Sequence, residues 1–430
     1  MTQNIVIIGA GPAGLLLAHS LLLRGQYSIK IYERRSDPRL MNASHQRTFP
    51  ISLQERGRKA IRNISGLEEA IANQSIFCQG TIVYRGKKKP RVIPRSNPIL
   101  TIDRNRLVAI MLEELIAKLT SGQVEILFNC ECIQVNQKNK SIILDPQEGD
   151  RFTVNYDILI GADGVRSRIR DHLVQESDLK CEQNYVQDAY KSVYVSRKNT
   201  QVGLELEADK IHTSNIGQGI RLLLVPQPGD QLHGTLVFNR DNNPLESITT
   251  KEDILKFFQD KFPTLGQLMS IKEAEELLNR PVSQVLEVSC VRFDQNDSIL
   301  LIGDAAHAVS PSIGQGCNSA LEDVYILNQL LDKYQDNWSR VLPCFSQQRI
   351  PDAYALQQLS NYSFPRKKRL VLEFFLRLKI ARILHSWFPQ QFNLFVFDLV
   401  LDTDLSYSQV LHLSHSWIDK VKRSMAKSRG

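Results

Sequence analysis

The sequence predicts an α/β fold. Strand-turn-helix units form one domain, a mainly antiparallel sheet interrupts it, and a helical region follows at the C-terminus. Three observations carry this reading. The β-branched run Ile5-Val6-Ile7-Ile8 meets the glycine turn Gly9-Ala10-Gly11-Pro12-Ala13-Gly14 and then the helical run Leu15-Leu16-Leu17-Ala18. A second apolar run, Ser298-Ile299-Leu300-Leu301-Ile302, ends far along the chain in Gly303-Asp304-Ala305-Ala306-His307. Between the two, short alternating segments bounded by turn residues dominate, and beyond Gly314 the pattern is helical.

The first turn has the spacing of a dinucleotide site in the context that gives the spacing meaning. Gly9 permits the tight turn, Gly11 lets a pyrophosphate approach the backbone, and Gly14 packs helix on strand. Pro12 and Ala13 open the helix, whose free amides and partial positive charge suit phosphates. Glu33 ends the next strand-like run, about twenty residues on, where a carboxylate accepts from ribose hydroxyls, and Arg34 follows it. This turn alone fits NAD as well as FAD, and two later segments favour the flavin. The run Tyr156-Asp157-Ile158-Leu159-Ile160 leads into Gly161-Ala162-Asp163-Gly164, a strand-to-turn signal that has a structural as well as a functional reading. Asp304 stands at the C-terminal end of a buried-type strand, where ligands of open α/β sheets bind, and can accept from ribityl hydroxyls. The alternative is that Asp304 only caps the next residues. Ser310 to Asn318 then places Pro311 and Gly314 beside a flavin ring, with Gly316, Cys317 and Asn318 at a helix start whose amides favour negative charge on it. An ordinary capped loop is the alternative. Arg47 and Arg104 are candidates to neutralise pyrophosphate charge. His307 has no second ligand at metal spacing and reads as structural, and no metal site is expected.

A chain of 430 residues suggests two or three domains. The expected division is a discontinuous Rossmann-like FAD-binding domain (1–75, 96–180 and 290–355), a substrate-binding sheet domain (76–95 and 181–289), and a helical region (356–430). A hydrophobic fraction of 42% and a charged fraction of 23% are ordinary for a soluble protein. The net charge of +7 reads as a solvated surface with anion sites, and no nucleic acid is expected as a partner. The seven Cys form no CxxC pair, which points to a reducing compartment and a cytoplasmic location. The N-terminal apolar run is consumed by the glycine turn, so it is not read as a signal peptide. Residues 392–401 are too short to span a bilayer, which needs about twenty apolar residues.

The elements follow in order. Residues 1–75 read strand, helix, strand and a helix beginning near Ser52. Two strands flank a turn at Arg85 and Gly86, and a helix covers 104–119 through Leu107, Ile110, Met111 and Leu115. Short strands fill 124–160, and 185–239 forms a sheet with a turn at Gln227-Pro228-Gly229-Asp230. A helix near 251–262 precedes strands at 282–292 and 298–302.

Together these motifs resemble the single-component FAD-dependent aromatic hydroxylases, the 4-hydroxybenzoate hydroxylase class, and within it the kynurenine 3-monooxygenase branch. The resemblance covers nearly the whole chain. It rests on the nucleotide motifs and on Tyr32-Glu33-Arg34-Arg35, Ile51-Ser52-Leu53, Arg56-Gly57-Arg58, Gly314-Gln315-Gly316, Leu342-Pro343, Phe345-Ser346 and Arg349-Ile350-Pro351-Asp352. It implies that NADPH or NADH reduces FAD transiently, without a second dinucleotide domain. It also implies that O₂ adds to the reduced ring and that a hydroperoxyflavin oxygenates a small, electron-rich substrate. The substrate clamp of that branch is not matched. Its Arg falls near Thr81, its first Tyr at a gap beside Arg95, its Asn near Ser363 and its second Tyr near Val396. Loss of a bidentate Arg partner for a carboxylate argues against kynurenine itself.

Other readings are weaker. A flavin halogenase would carry paired tryptophans, whereas Trp338, Trp387 and Trp417 are isolated. An epoxidase or oxidase on a nonaromatic substrate, or a non-catalytic flavin-binding regulator, differs in its turnover. The tail carries a basic amphipathic run from Arg366 to Leu384. The preferred reading is a helix that closes the back of the active site, apolar face inward and continuing into Trp387, Phe388 and Phe392. A peripheral membrane contact is the alternative.

Overall fold

The apolar run Gln3–Ile8 forms the centre of a six-stranded sheet because both its faces are covered, and its side chains from Ile5 to Ile8 are buried. The computed structural model describes residues 2–40, 48–86, 88–119, 123–365 and 367–426. In the sheet, Gln3–Ile8 lies between Tyr27–Tyr32 and Ile158–Gly161, all parallel. Val124–Leu127 extends it on one side, and Ile299–Leu301 and Asp294–Gln295 on the other. The strand ends that carry Gly9, Gly161 and Gly303 are therefore neighbours, although the sequence separates them by well over a hundred residues.

An eight-stranded sheet lies apart from the first. Its central strands Cys181–Ser196, Gln231–Asn239, Ile220–Gln227 and Lys210–Gly217 are antiparallel, and Lys210–Gly217 pairs in parallel with Ile76–Arg85. Gly229 and Asp230 turn the hairpin between Gln227 and Gln231 at positive φ, as the turn residues predict. The helices Lys251–Lys261 and Ile271–Asn279 bury their apolar sides against one face through Ile254, Phe258, Phe262 and Leu277, which meet Leu222, Leu224 and Phe238.

Three local expectations change. Pro50–Leu53 is a strand paired with Asp103 to Leu100, and the helix begins only at Glu55. Pro50 cannot join a central ladder, and it stands at the edge of the large sheet. That sheet thereby draws in residues that the 1–75 and 96–180 boundaries assign to the nucleotide domain. Finally, Cys181 and Cys290 face each other across antiparallel strands and form a disulfide, against the expectation of reduced thiols. Strand register made this pair, and no local spacing could show it.

The C-terminal region is helical: Trp338–Tyr362, Lys368–Trp387, Val396–Asp402 and Tyr407–Ala426. Its core joins Leu356, Leu359, Phe374, Leu378, Val396, Leu399, Val410, Trp417 and Ile418 to Ile313 from the turn at Pro311–Ile313. No helix among the described residues is long and apolar enough to cross a membrane.

Candidate active site

The glycine turn is built for close approach at two positions and for open space at a third. At Gly9, φ is +106° and a Cβ would lie 2.4 Å from the Ala162 carbonyl oxygen. At Gly14 a Cβ would lie 2.1 Å from the Gly9 oxygen, so the helix packs on the strand through bare backbone. Gly11 has ordinary dihedrals (φ −79°), and the nearest atom to its Cβ position is Arg104 Nη2 at 3.7 Å. Its freedom is needed by something that approaches from outside. Helix Pro12–Leu22 begins there with no side-chain cap, leaving amides free.

Arg104 reaches this point because Asp103 caps its helix. The Asp103 carboxylate accepts from Asn105 N at 2.8 Å and fixes Arg104 in the first turn. Arg35 lies close enough that the Arg104 charge adds to burial in lowering its guanidinium from the ordinary value. Two cations held together mark a site made for an anion. Arg35 belongs to the run Glu33-Arg34-Arg35, in which Glu33 and Arg34 are the expected cofactor contacts. Arg34 is exposed. Glu33 Oε2 accepts from Ala10 N and Oε1 from Arg35 N, both at 2.9 Å, so the carboxylate ties the second strand to the turn. Arg47 lies outside the described residues.

Asp304 lies within reach of the Arg104 charge. A Cβ on Gly316 would lie 3.9 Å from Asp304 Oδ1, and Gly303 lies against Ala13 and Ala320. Asp304 is reachable by water yet ringed by protein. Burial therefore raises its carboxyl, against the pull of His307 and Arg104. Burial, then the Asp304 charge, push the neighbouring Cys317 thiol up to about 12. Asp163 accepts from Arg168 N at 2.6 Å and from Ile169 N at 3.3 Å, while its buried Oδ1 has no partner among the described residues.

Beyond Gly316 the side chain of Asn318 is taken up by the fold. Its side chain is fully buried, accepts from Gln54 N at 2.8 Å and donates to Ser52 O and Gly314 O. A brace of this kind holds the turn and leaves only its backbone for a ligand. Gly314 sits at φ +66° after Pro311–Ile313, with Pro311 exposed and Ile313 buried in the tail core. Gln315 donates to Gln54 and accepts from Tyr407 OH at 2.8 Å, all three being buried. Tyr407 lies 92 residues from Gln315, so no local signal marked it.

His307 is structural, held at 2.6 Å by Asp323, which also accepts from Gly303 N and from Arg349 Nε at 2.8 Å. Arg349 further meets Glu322 and Asp352. Burial opposes ionisation of Asp323, but His307 and Arg349 outweigh it and hold the carboxyl below its usual range.

These observations fit an FAD. Gly11 leaves open space beside Arg104, a carboxylate oxygen of Asp163 has no partner among the described residues, and Asp304 is accessible to water. The chain also matches the family described as FAD binding domain over residues 2–358.

The chain belongs to that family.

A kynurenine 3-monooxygenase of Legionella pneumophila (strain Corby) is 30% identical over 416 residues, covering 95% of this chain and 90% of the relative. That of Sus scrofa is 28% identical over 425 residues, covering 97% and 88%. Among solved structures, tetrameric 2-methyl-3-hydroxypyridine-5-carboxylic acid oxygenase aligns with TM-score 0.69 at 21% identity, covering 84% of this chain and 91% of that one. Tetracycline destructase Tet(51) aligns with TM-score 0.62 at 18% identity, covering 92% and 99%. These two likenesses concern the fold alone. This protein is thus an FAD-dependent monooxygenase of the aromatic hydroxylase class.

The four positions expected to touch substrate in this flavoprotein fall on two paired strands of the large sheet and in the helical tail. Thr81 lies mid-sheet between Ile93 and Ile211. Arg95 faces the C-terminal helices, where burial lowers its guanidinium against the pull of Asp402, and its Nε is buried without a partner among the described residues. Ser363 and Val396 are 1% exposed and enclosed by the tail itself. Trp417 Nε1 donates to Ser363 O at 2.9 Å, and Val396 packs with Phe374 and Leu378. Neither presents surface to a ligand, because the tail helices pack on each other there.

Proposed function

We propose that this flavin monooxygenase takes electrons from NADPH or NADH and places one oxygen atom of O₂ on a small, aromatic substrate other than kynurenine. The second oxygen atom leaves as water. One observation carries the reading: Arg104 lies 3.7 Å from the Cβ position of Gly11, and its charge acts on both Asp304 and Cys317, which gathers these residues in one region. When bound, FAD supplies the redox and oxygen chemistry. The chain's own residues hold and enclose it. Gly11 leaves room for the pyrophosphate, and Arg104 with Arg35 balances its charge. Asp304 accepts from sugar-alcohol hydroxyls, and the helix start at Gly316 offers backbone amides to the ring. The Gln54–Gln315–Tyr407 network fixes the turn, and the tail core packs on its Ile313.

The choice against kynurenine rests on Thr81, which has no charge to offer a carboxylate. Arg95 is the candidate replacement on the neighbouring strand, and it supports an anionic substrate of different shape. The test is a screen of aromatic acids, amines and indoles for stimulated NAD(P)H consumption, followed by product mass. A gain of one oxygen from an aromatic compound is expected, with kynurenine weak or inactive. Efficient formation of 3-hydroxykynurenine would refute the substrate assignment. A product that has only lost hydrogen would refute the monooxygenase reaction.

A further inference from the structure

The helix Lys368–Trp387 carries two apolar faces, and only one is used by the fold. Leu370, Phe374 and Leu378 are buried on the tail core. On the other side Leu372 is 74% exposed, Leu376 57%, Ile380 46%, Ile383 40% and Trp387 71%. At roughly 100° per residue these five fall within about 80° of arc, a single stripe about 22 Å long. Phe388 and Phe392 continue it and are exposed as well. The expectation that this apolar run faces inward is therefore corrected: the inward face is narrow, and the aromatic end lies at the surface.

Charge decides between occupants. Lys367, Lys368, Arg369, Arg377 and Lys379 are exposed on and beside the stripe. The one acid of the helix, Glu373, is already held by Lys420 at 2.7 Å and Arg377 at 2.9 Å. A twofold partner would bring two such cationic faces together, which like charges oppose. An anionic surface is complementary to the cations and takes up the stripe and its aromatic end in the headgroup zone. The stripe is one-sided and interrupted by charge, so the helix lies on such a surface and does not cross it. We infer that this outer face docks on an anionic phospholipid bilayer.

Trp387 makes the inference measurable, because Trp338 and Trp417 are only 4% and 3% exposed. The full-length, FAD-loaded protein is mixed with vesicles of phosphatidylcholine alone or with about one third phosphatidylglycerol. Flotation with the anionic vesicles and a blue shift of tryptophan emission are expected at low salt, with little binding to phosphatidylcholine alone. The shift should vanish in Trp387→Phe. In the double variant Leu376→Glu and Ile380→Glu, bound protein should fall about tenfold or more, with flavin absorbance and thermal unfolding unchanged. Absence of flotation, or flotation that the double variant leaves intact, overturns the inference. So does a lipid-independent dimer that the double variant dissociates, since a second copy would then cover the stripe. None of these readouts depends on the substrate or on turnover.

Discussion

Arg104 stands over Gly11: its Nη2 lies 3.7 Å from the place where a Gly11 side chain would begin. The glycine is bare without backbone necessity, and the cation beside it explains why. An alanine at Gly11 fits the free protein in ordinary contact, whereas Gly9 cannot accept one. We expect Gly11→Ala to unfold within about 2 °C of the parent in the FAD-free state while binding FAD at least tenfold more weakly. Gly9→Ala, at φ +106° and 2.4 Å from a carbonyl oxygen, should cost roughly 3 kcal/mol or more. Thermal unfolding and flavin titration separate the two effects. Equal FAD affinity in Gly11→Ala and the parent would remove Gly11 from the site.

Asp304 should trade stability for binding. Its folded carboxyl is raised above the ordinary 3.8. As pH rises past 3.8, the unfolded chain releases this proton first, so the stability of FAD-free protein falls until the folded group also ionises. Asp304→Asn should remove that part of the fall and still lower FAD retention. Denaturation of the FAD-free proteins across acidic pH, paired with flavin occupancy at neutral pH, checks both. A variant with full occupancy would exclude the ribityl role.

The buried cluster around Arg349 should behave in the opposite sense. Asp323 is held below 3.8, so its contribution is present above that pH and lost as pH falls through the folded value. Arg349→Met strands Asp323, Glu322 and Asp352 together and should cost about 3–5 kcal/mol in chemical denaturation. A loss under about 1 kcal/mol would mean that solvent reaches the cluster.

Tyr407→Phe tests how the tail supports the turn. The Gln315 oxygen would lose its buried donor, at a cost of about 1–3 kcal/mol. Product yield per NAD(P)H consumed should fall if the turn, as proposed, flanks the flavin ring, since it would then loosen. Unchanged stability and coupling would show that the tail only covers the turn.

Thiol counting tests the strand register. Denatured protein should show five reactive thiols without reductant (Cys78, Cys130, Cys132, Cys317 and Cys344) and seven after reduction. Seven in both states would mean that Cys181 and Cys290 stand opposite each other unbonded.

What the sequence determined by itself is the nucleotide half of this protein. Gly9, Gly11 and Gly14 lie in the turn and first helical turn after the strand Gln3–Ile8, Asp304 lies just beyond Ile299–Leu301, and a strand-to-turn junction forms wherever such a local apolar run meets glycine. The antiparallel sheet was legible for the same reason, since alternation and turn residues act over a few positions. Tertiary structure decided the rest. Tyr407 meets Gln315, Cys181 meets Cys290, and Arg104 meets Gly11 only through the packing of elements distant in the chain. Val396 shows the converse: its position suits a ligand on paper, and the neighbouring tail helices take up its side chain instead. The helix Lys368–Trp387 is the sharpest case. Its sequence is apolar around much of its circumference, and which arc turns inward is set by the surface of Ile313, Leu356 and Trp417 that it must cover. Hydrophobic burial is non-directional, so composition shows that a helix has apolar surface to bury, and only the assembled neighbours determine which part of it stays exposed.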